Sequence, residues 1–185
     1  YRDTRSKAYR TTLNVGGPIG AQLRMVTARP VFRWFGRWNT SKSRGIDQVA
    51  ASYIRLANAY QPGAVPQMAV MRHQGVGCNR RYQAGGPAED ERTRRWYREF
   101  ARGVGNSRVV IAFEPDSLGT VDCLAKARQR ARLDTLRYGI DVLSHLPRAT
   151  LYIEAGASDW EPAARTARML RYVGVAKVPD DAELR

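Results

Sequence analysis

Two carboxylates stand two residues apart in Val109-Val110-Ile111-Ala112-Phe113-Glu114-Pro115-Asp116-Ser117, at the point where an apolar run that reads as a buried strand stops. Side chains alternate along a strand, so Ala112 and Glu114 share a face and Phe113 packs the other way. Asp116 joins the first face if extended geometry persists through Pro115. A carboxylic acid sheltered there has its charged form disfavoured, which raises its pKa and suits it to hand a proton to a leaving oxygen. Cleaving a glycosidic bond needs such an acid with a second carboxylate or an ordered water, and Glu154, at another strand end, is an available neighbour. The same residues can instead form a turn in which Asp116 caps the next segment and Glu114 pairs with an arginine.

The elements that must position these groups follow from periodicity. Ile46, Val49, Ala50, Tyr53, Ile54 and Ala57 form one stripe of a helix ended by Pro62-Gly63. Pro66 opens a short strand, Gln67 to Met71, which runs into a long glycine-rich loop from Arg72 to Ala88. A helix over 89–103 leads to the strand 108–113. The next helix takes its inward stripe from Leu133, Leu136, Ile140 and Leu143, and Pro147 closes it. A strand over 149–154, a helix over 161–172 with Ala164, Ala167 and Leu170 inward, and a last strand from Gly174 to Val178 complete the order. Alternating strands and helices with connections of this length call for parallel strands and right-handed crossovers, hence an α/β fold: a parallel sheet or β/α barrel. Ligands in such folds bind at the carboxyl ends of the strands, where the loops 72–88, 114–124 and 154–161 converge.

The first forty residues are less regular. Thr12-Leu13-Asn14-Val15-Gly16-Gly17-Pro18 reads as a strand or turn, and neither it nor any other glycine cluster has the strand before and helix after that a phosphate loop needs. Trp34, Phe35 and Trp38 serve either as core or as flat faces for sugar rings, and Trp34 is the candidate substrate platform.

Composition bounds the rest. At 185 residues the chain is expected to be a single domain, 1–185, and no run of eighteen apolar residues is present, so no membrane span is expected. Tyr1-Arg2-Asp3 is neither an initiator methionine nor a signal peptide, so the chain reads as mature or trimmed. The formal charge of +14 is carried almost wholly by arginine, since Lys7, Lys42, Lys126 and Lys177 are the only lysines. Attraction to nucleic acid or to an anionic surface is one reading. The basic residues are spread rather than packed into a stripe, which argues against nucleic acid as partner, and the densest cluster, Arg92 to Arg102, alternates with Trp96, Phe100 and Val104 as a solvated helix face does. Cys78 and Cys123 lack metal-ligand spacing with His73 and His145, so no metal site is expected. An even pair fits one disulfide and an oxidising compartment if the fold brings the two together.

The run Val109 to Leu118, then Cys123-Leu124, then Tyr152-Ile153-Glu154-Ala155-Gly156-Ala157-Ser158-Asp159-Trp160 resembles glycoside hydrolase family 6, the cellobiohydrolases and β-1,4-endoglucanases. That family's strand reads as an apolar run followed by E-P-D-[SA]-L, and its next strand as Y-[LV]-D-A-G-H-x-x-W. Cys78 with Gln83-Ala84-Gly85-Gly86 looks like its R-D-C-x-x-x-x-[SA]-G-G loop. The resemblance covers about 65–185 well and the first sixty residues poorly. It implies a distorted parallel β/α barrel, here without the family's C-terminal part, inverting hydrolysis of β-1,4-glucosidic bonds of a β-glucan or related cell-wall polysaccharide, and Asp116 as general acid. It places Glu154 at the family's Asp position, Trp160 at its Trp, and a disulfide between Cys78 and Cys123; Trp34, Trp160 and Ser117 are the candidate substrate contacts. It further implies a secreted enzyme, a polysaccharide or oligosaccharide as partner, and no cofactor.

The departures are equally specific. Val76-Gly77 stands where the family has Arg-Asp, Ala157 where it has His, Met71 where a sugar-contacting Tyr is usual, and Gln83 or Ala84 where a Ser helps hold water. The family continues well past the last residues here, and a sheet cut at Val178 would expose an edge through which chains could associate. The alternatives are a catalytically impaired carbohydrate-binding descendant, motivated by Gly77 and Ala157, and a basic protein that binds an anionic polymer.

Overall fold

A computed structural model describes residues 1–73 and 85–175. Four parallel strands, β1 (Arg33–Gly36), β2 (Gln67–Met71), β3 (Val109–Phe113) and β4 (Ala149–Ile153), lie in sequence order in one sheet. Among the described residues the sheet is open, with β1 and β4 at its edges, so the expected parallel α/β architecture is present and the barrel is not closed.

Helices α1 (Lys7–Thr12) and α2 (Gly17–Thr27) precede the sheet, and α3 (Ile46–Tyr60), α4 (Pro87–Val104), α5 (Lys126–Ser144) and α6 (Ala163–Val173) form the layer against it. The α3 stripe is buried as its spacing requires, and Trp96, Tyr97, Phe100 and Val104 of α4 are buried while the arginines between them are not. Phe35 of β1 meets Tyr53 and Phe100 edge-on, each with centroids 5.6 Å apart, and Trp96 stacks on Phe100 at 5.4 Å. Fully burying each such ring stabilises the fold by roughly 2–3 kcal/mol, so these aromatics knit β1 to α3 and α4.

Three expectations change. The Gly16-Gly17-Pro18 stretch is a helix start rather than a strand or turn: Gly16 is the N-cap and Pro18 occupies the first turn of α2, where its missing N–H has no partner to lose. Of the expected inward residues of α6, Leu170 packs against the core and Ala164 is exposed, while the buried residues are Met169 and Val173, because α6 meets α5 on the side where these larger side chains lie. Gly174 does not open a strand. It caps α6 in the left-handed conformation at φ 97°, and the rest of the expected strand, 176–178, lies outside the described residues.

Register assigns the two faces of the sheet. Trp34, Ala69, Ala112 and Tyr152 are successive pairing partners across the four strands and so share one face. Phe35, Val70, Phe113 and Ile153, one residue on, share the other, which packs on the helices.

Candidate functional site

The carboxyl ends of β3 and β4 bring the two predicted carboxylates, Asp116 and Glu154, together. β3 stops at Phe113, and the chain then takes left-handed backbone conformations at Glu114 (φ 50°) and Asp116 (φ 67°). Such conformations cost a non-glycine residue on the order of 1–3 kcal/mol, so surrounding contacts must hold them. Strand alternation therefore does not carry through Pro115, and the expected common face for Ala112, Glu114 and Asp116 is replaced by a division between the two carboxylates.

Glu114 turns to the helix side and is 1% exposed. Its carboxylate accepts the backbone N–H of Arg72 (2.7 Å) and His73 (3.0 Å), the Tyr97 hydroxyl (2.7 Å) and the Ser117 hydroxyl (3.2 Å). Burial pushes its pKa up, while these hydrogen bonds and the buried Arg132 oppose the rise. The Tyr97 hydroxyl is pushed well up by burial and then by Glu114. His73 is driven well below its ordinary value by burial and then by Arg132, Arg72 and Arg128. Glu114 is thus a structural peg: it ties the end of β2 to α4 and to the turn after β3. The turn reading was right that Glu114 is a partnered side chain, but its partners are mostly backbone and hydroxyl donors.

Asp116 occupies the other side of that turn and is half-buried. Its backbone N–H donates to Glu154 Oε2 at 2.7 Å, and the Gly156 N–H donates to Glu154 Oε1 at 2.6 Å, so the two strand-end loops are clasped by one carboxylate. Asp116 does not cap a helix with its side chain; its backbone carbonyl accepts from the Thr120 N–H and hydroxyl. Among the described residues nothing donates to its carboxyl. Burial first, and the charge of Glu154 second, push the Asp116 pKa above the usual aspartate range. Both effects favour the protonated form of Asp116 at the strand edge relative to a free aspartate.

The remaining site residues divide. Ser117 is 2% exposed and donates to Glu114, so it faces the interior rather than a ligand. Trp34 is 47% exposed and Trp160 44% exposed, both ring-bearing surfaces on the sheet side or edge where the loops end. Phe35 is core and Trp38 is exposed, which separates the three aromatics of that segment. The Trp160 ring sits where a Cβ on Gly119 would lie, 2.3 Å from it, and Gly119 also abuts the Cα of Gly156, so a side chain at 119 cannot be accommodated without moving one loop. Cys123 ends the short turn Val121–Cys123, and its expected partner Cys78 lies outside the described residues, as do Gly77, Gln83 and Ala84. Among the described residues no three His, Cys, Asp or Glu side chains gather as a metal site would require. No helix of the described residues is long and apolar enough to cross a membrane.

Tyr152 adds a ring to this side of the sheet. It is 60% exposed on the same sheet face as Trp34, and it precedes Glu154 by two residues, a period-two signal that could have marked it. Tyr97 and Arg132, which surround Glu114, left no such signal, because both come from helices remote in sequence.

An open parallel sheet whose carboxyl edge brings Asp116 and Glu154 together is an α/β arrangement that binds ligands at that edge. The family model of the glycosyl hydrolases family 6 matches residues 3–183, and the chain belongs to that family. The match includes the first sixty residues, where the motif resemblance had been poor. Endoglucanase 1 of Streptomyces halstedii is 29% identical over 178 residues, which cover 95% of this chain and 54% of that protein. Endoglucanase A of Thermobispora bispora is 30% identical over 161 residues, 86% of this chain and 34% of that protein. The endoglucanase Cel6 of Mycobacterium tuberculosis, solved with methyl-cellobiosyl-4-deoxy-4-thio-β-D-cellobioside, superposes with a TM-score of 0.80 at 32% identity over 95% of this chain and 58% of that one. An Orpinomyces enzyme of the family shares the fold at TM-score 0.70 and 16% identity. The chain thus spans about half the length of the first of these relatives and of the solved structures it matches.

Proposed function

We propose that this chain carries the acid half of a glycoside hydrolase site that cleaves β-1,4-glucosidic bonds of a β-glucan with inversion, with Asp116 as general acid. The observation that carries the reading is the carboxyl of Asp116, unengaged among the described residues and raised in pKa beside a Glu154 that two backbone N–H groups hold in place. Burial first and the Glu154 charge second favour the protonated form of Asp116, and Glu154 fixes its loop. Trp34 and Trp160, with Tyr152, are the surfaces on which sugar rings stack, whereas the buried Ser117 is left out of the substrate contacts. The ligand in the Mycobacterium tuberculosis structure, a thio-linked cello-oligosaccharide, supports a β-1,4-glucan as substrate class. The reading further includes one catalytic domain over 1–185, a disulfide between Cys78 and Cys123, secretion, no cofactor, and association through an exposed sheet edge.

Soluble β-1,4-gluco-oligosaccharides incubated with the protein and with Asp116→Asn test this directly, by proton NMR of the anomer at each new reducing end. The α-anomer from wild type alone is the expected result. Product from both proteins, or β-anomer from wild type, removes Asp116 or inversion from the proposal. The second reading, a carbohydrate-binding descendant, is favoured by Val76-Gly77 and Ala157 standing where the family has Arg-Asp and His. It predicts oligosaccharide binding by both proteins and product from neither.

A further inference from the structure

Much of the net charge lies away from the carboxylate edge, on the helix layer behind the sheet. α4, α5 and α6 lie side by side, and their outer surface exposes Arg95, Arg98, Arg130, Arg137 and Arg168, whereas Arg102 turns to Asp47 of α3 (3.7 Å). The carboxylates exposed on the same three helices are Glu91, Asp134 and Asp141, fewer than the arginines, so the face is net cationic.

Both interhelical grooves repeat one arrangement. Between α4 and α5, the guanidinium carbons of Arg94 and Arg98 lie 5.6 and 5.7 Å from the Tyr138 ring centroid. Between α5 and α6, those of Arg130 and Arg137 lie 4.3 and 5.9 Å from the Tyr172 ring centroid. A ring beneath a guanidinium restrains its rotamers, so less side-chain entropy is lost when an anion is bound. The rings are covered by those cations and do not offer the bare stacking faces that single-stranded nucleic acid uses. What the surface presents is guanidinium forks, and it already pairs them with carboxylates at Arg98–Glu91 (3.1 Å) and Arg130–Asp134 (3.2 Å). Adjacent helix axes lie about 8–10 Å apart, so the forks are spread over a span that a polymer can follow and a small anion cannot.

We propose that the α4–α5–α6 face docks a carboxylated polysaccharide of the polyuronate type, holding the protein on an acidic glycan while the opposite side of the sheet stays free. Charge complementarity selects the polymer, and the planar forks suit carboxylates bidentately. The proposal concerns a surface apart from Asp116 and Glu154 and stands whether or not those residues hydrolyse anything.

The test is binding of the full chain to polygalacturonate, compared with Arg98→Glu/Arg137→Glu/Arg168→Glu, with a neutral β-1,4-glucan and duplex DNA as comparison probes. Wild type is expected to bind polygalacturonate, to lose at least about tenfold in affinity between roughly 50 and 200 mM salt, and to lose at least about tenfold in the triple variant. Binding to the neutral glucan is expected to be unchanged. Arg137→Gln/Arg168→Gln, which removes charge without reversing it, gives the same direction should the triple variant fold poorly by circular dichroism. Polygalacturonate binding that is indifferent to salt, or equal in folded variants and wild type, overturns the proposal. So does tighter binding to duplex DNA at matched ionic strength, which would make the face a nucleic-acid surface instead.

Discussion

Glu114 and Asp116 are two residues apart and carry the same functional group, yet they belong to different regions of the molecule. Glu114 faces the helix layer, saturated by two backbone N–H groups, a tyrosine and a serine. Asp116 faces the strand edge beside Glu154, with no donor on its carboxyl among the described residues. Burial raises the pKa of both, but only at Asp116 does a second carboxylate add to the rise, whereas at Glu114 hydrogen bonds oppose it. The lesson is that a carboxylate surrounded by donors is committed to holding the structure, while one left beside a like charge can exchange a proton.

The comparison breaks most visibly at Asp116. Asp116→Asn is expected to cut kcat/KM for cello-oligosaccharides by about 10²–10⁴, the usual worth of a general acid. Its stability should move the other way. Because the folded pKa of Asp116 is raised, ionisation disfavours the fold as pH rises through that pKa, so the Asn variant is expected to melt above wild type near neutrality and level with it in acid. A lower melting temperature at both pH values would mean that Asp116 is a structural group like Glu114.

Glu114→Ala is the mirror experiment. It leaves the Tyr97 hydroxyl and two backbone N–H groups buried without their acceptor, and is expected to destabilise by about 3–5 kcal/mol in denaturant unfolding. A loss of activity with unchanged stability would assign Glu114 to chemistry instead.

Gly119→Ala probes the seam between the two strand-end loops. The added methyl meets the Trp160 ring at 2.3 Å, so overpacking of about 1–3 kcal/mol is expected, together with a shift in Trp160 fluorescence. An unchanged melting temperature and emission would show that the loops part freely.

Glu154→Gln changes one atom, and leaves one of the two clasped backbone N–H groups without an acceptor. It removes the charge that helps to raise the Asp116 pKa, so the basic limb of the kcat/KM profile is expected to move to lower pH, burial alone now holding the proton. A limb that stays in place would take Glu154 out of the acid's environment.

How much of this was legible beforehand differs along the chain. The stripe of α3, the boundaries of β2 and β3 to within a residue, and the solvated arginine face of α4 follow from residue spacing, because burial against one neighbour imposes a period of two or 3.6. Asp116 and Glu154 were placed at the same edge because parallel strands joined by helices deliver their carboxyl ends to one side, a consequence of connection length and handedness. The open-ended sheet order, the start of α2 at Gly16-Gly17-Pro18 and the inward side of α6 were decided by which element packs on which. The division of labour in Glu-Pro-Asp-Ser was decided there too. Strand alternation predicts one face for both carboxylates, but the two left-handed residues turn the chain, and the donors that hold Glu114 come from the two residues after β2, 42 and 41 residues away, and from α4, 17 residues away. Spacing along a chain determines which residues can share a face of one element; which hydrogen-bond donors surround a buried charge depends on elements brought together only when the chain folds.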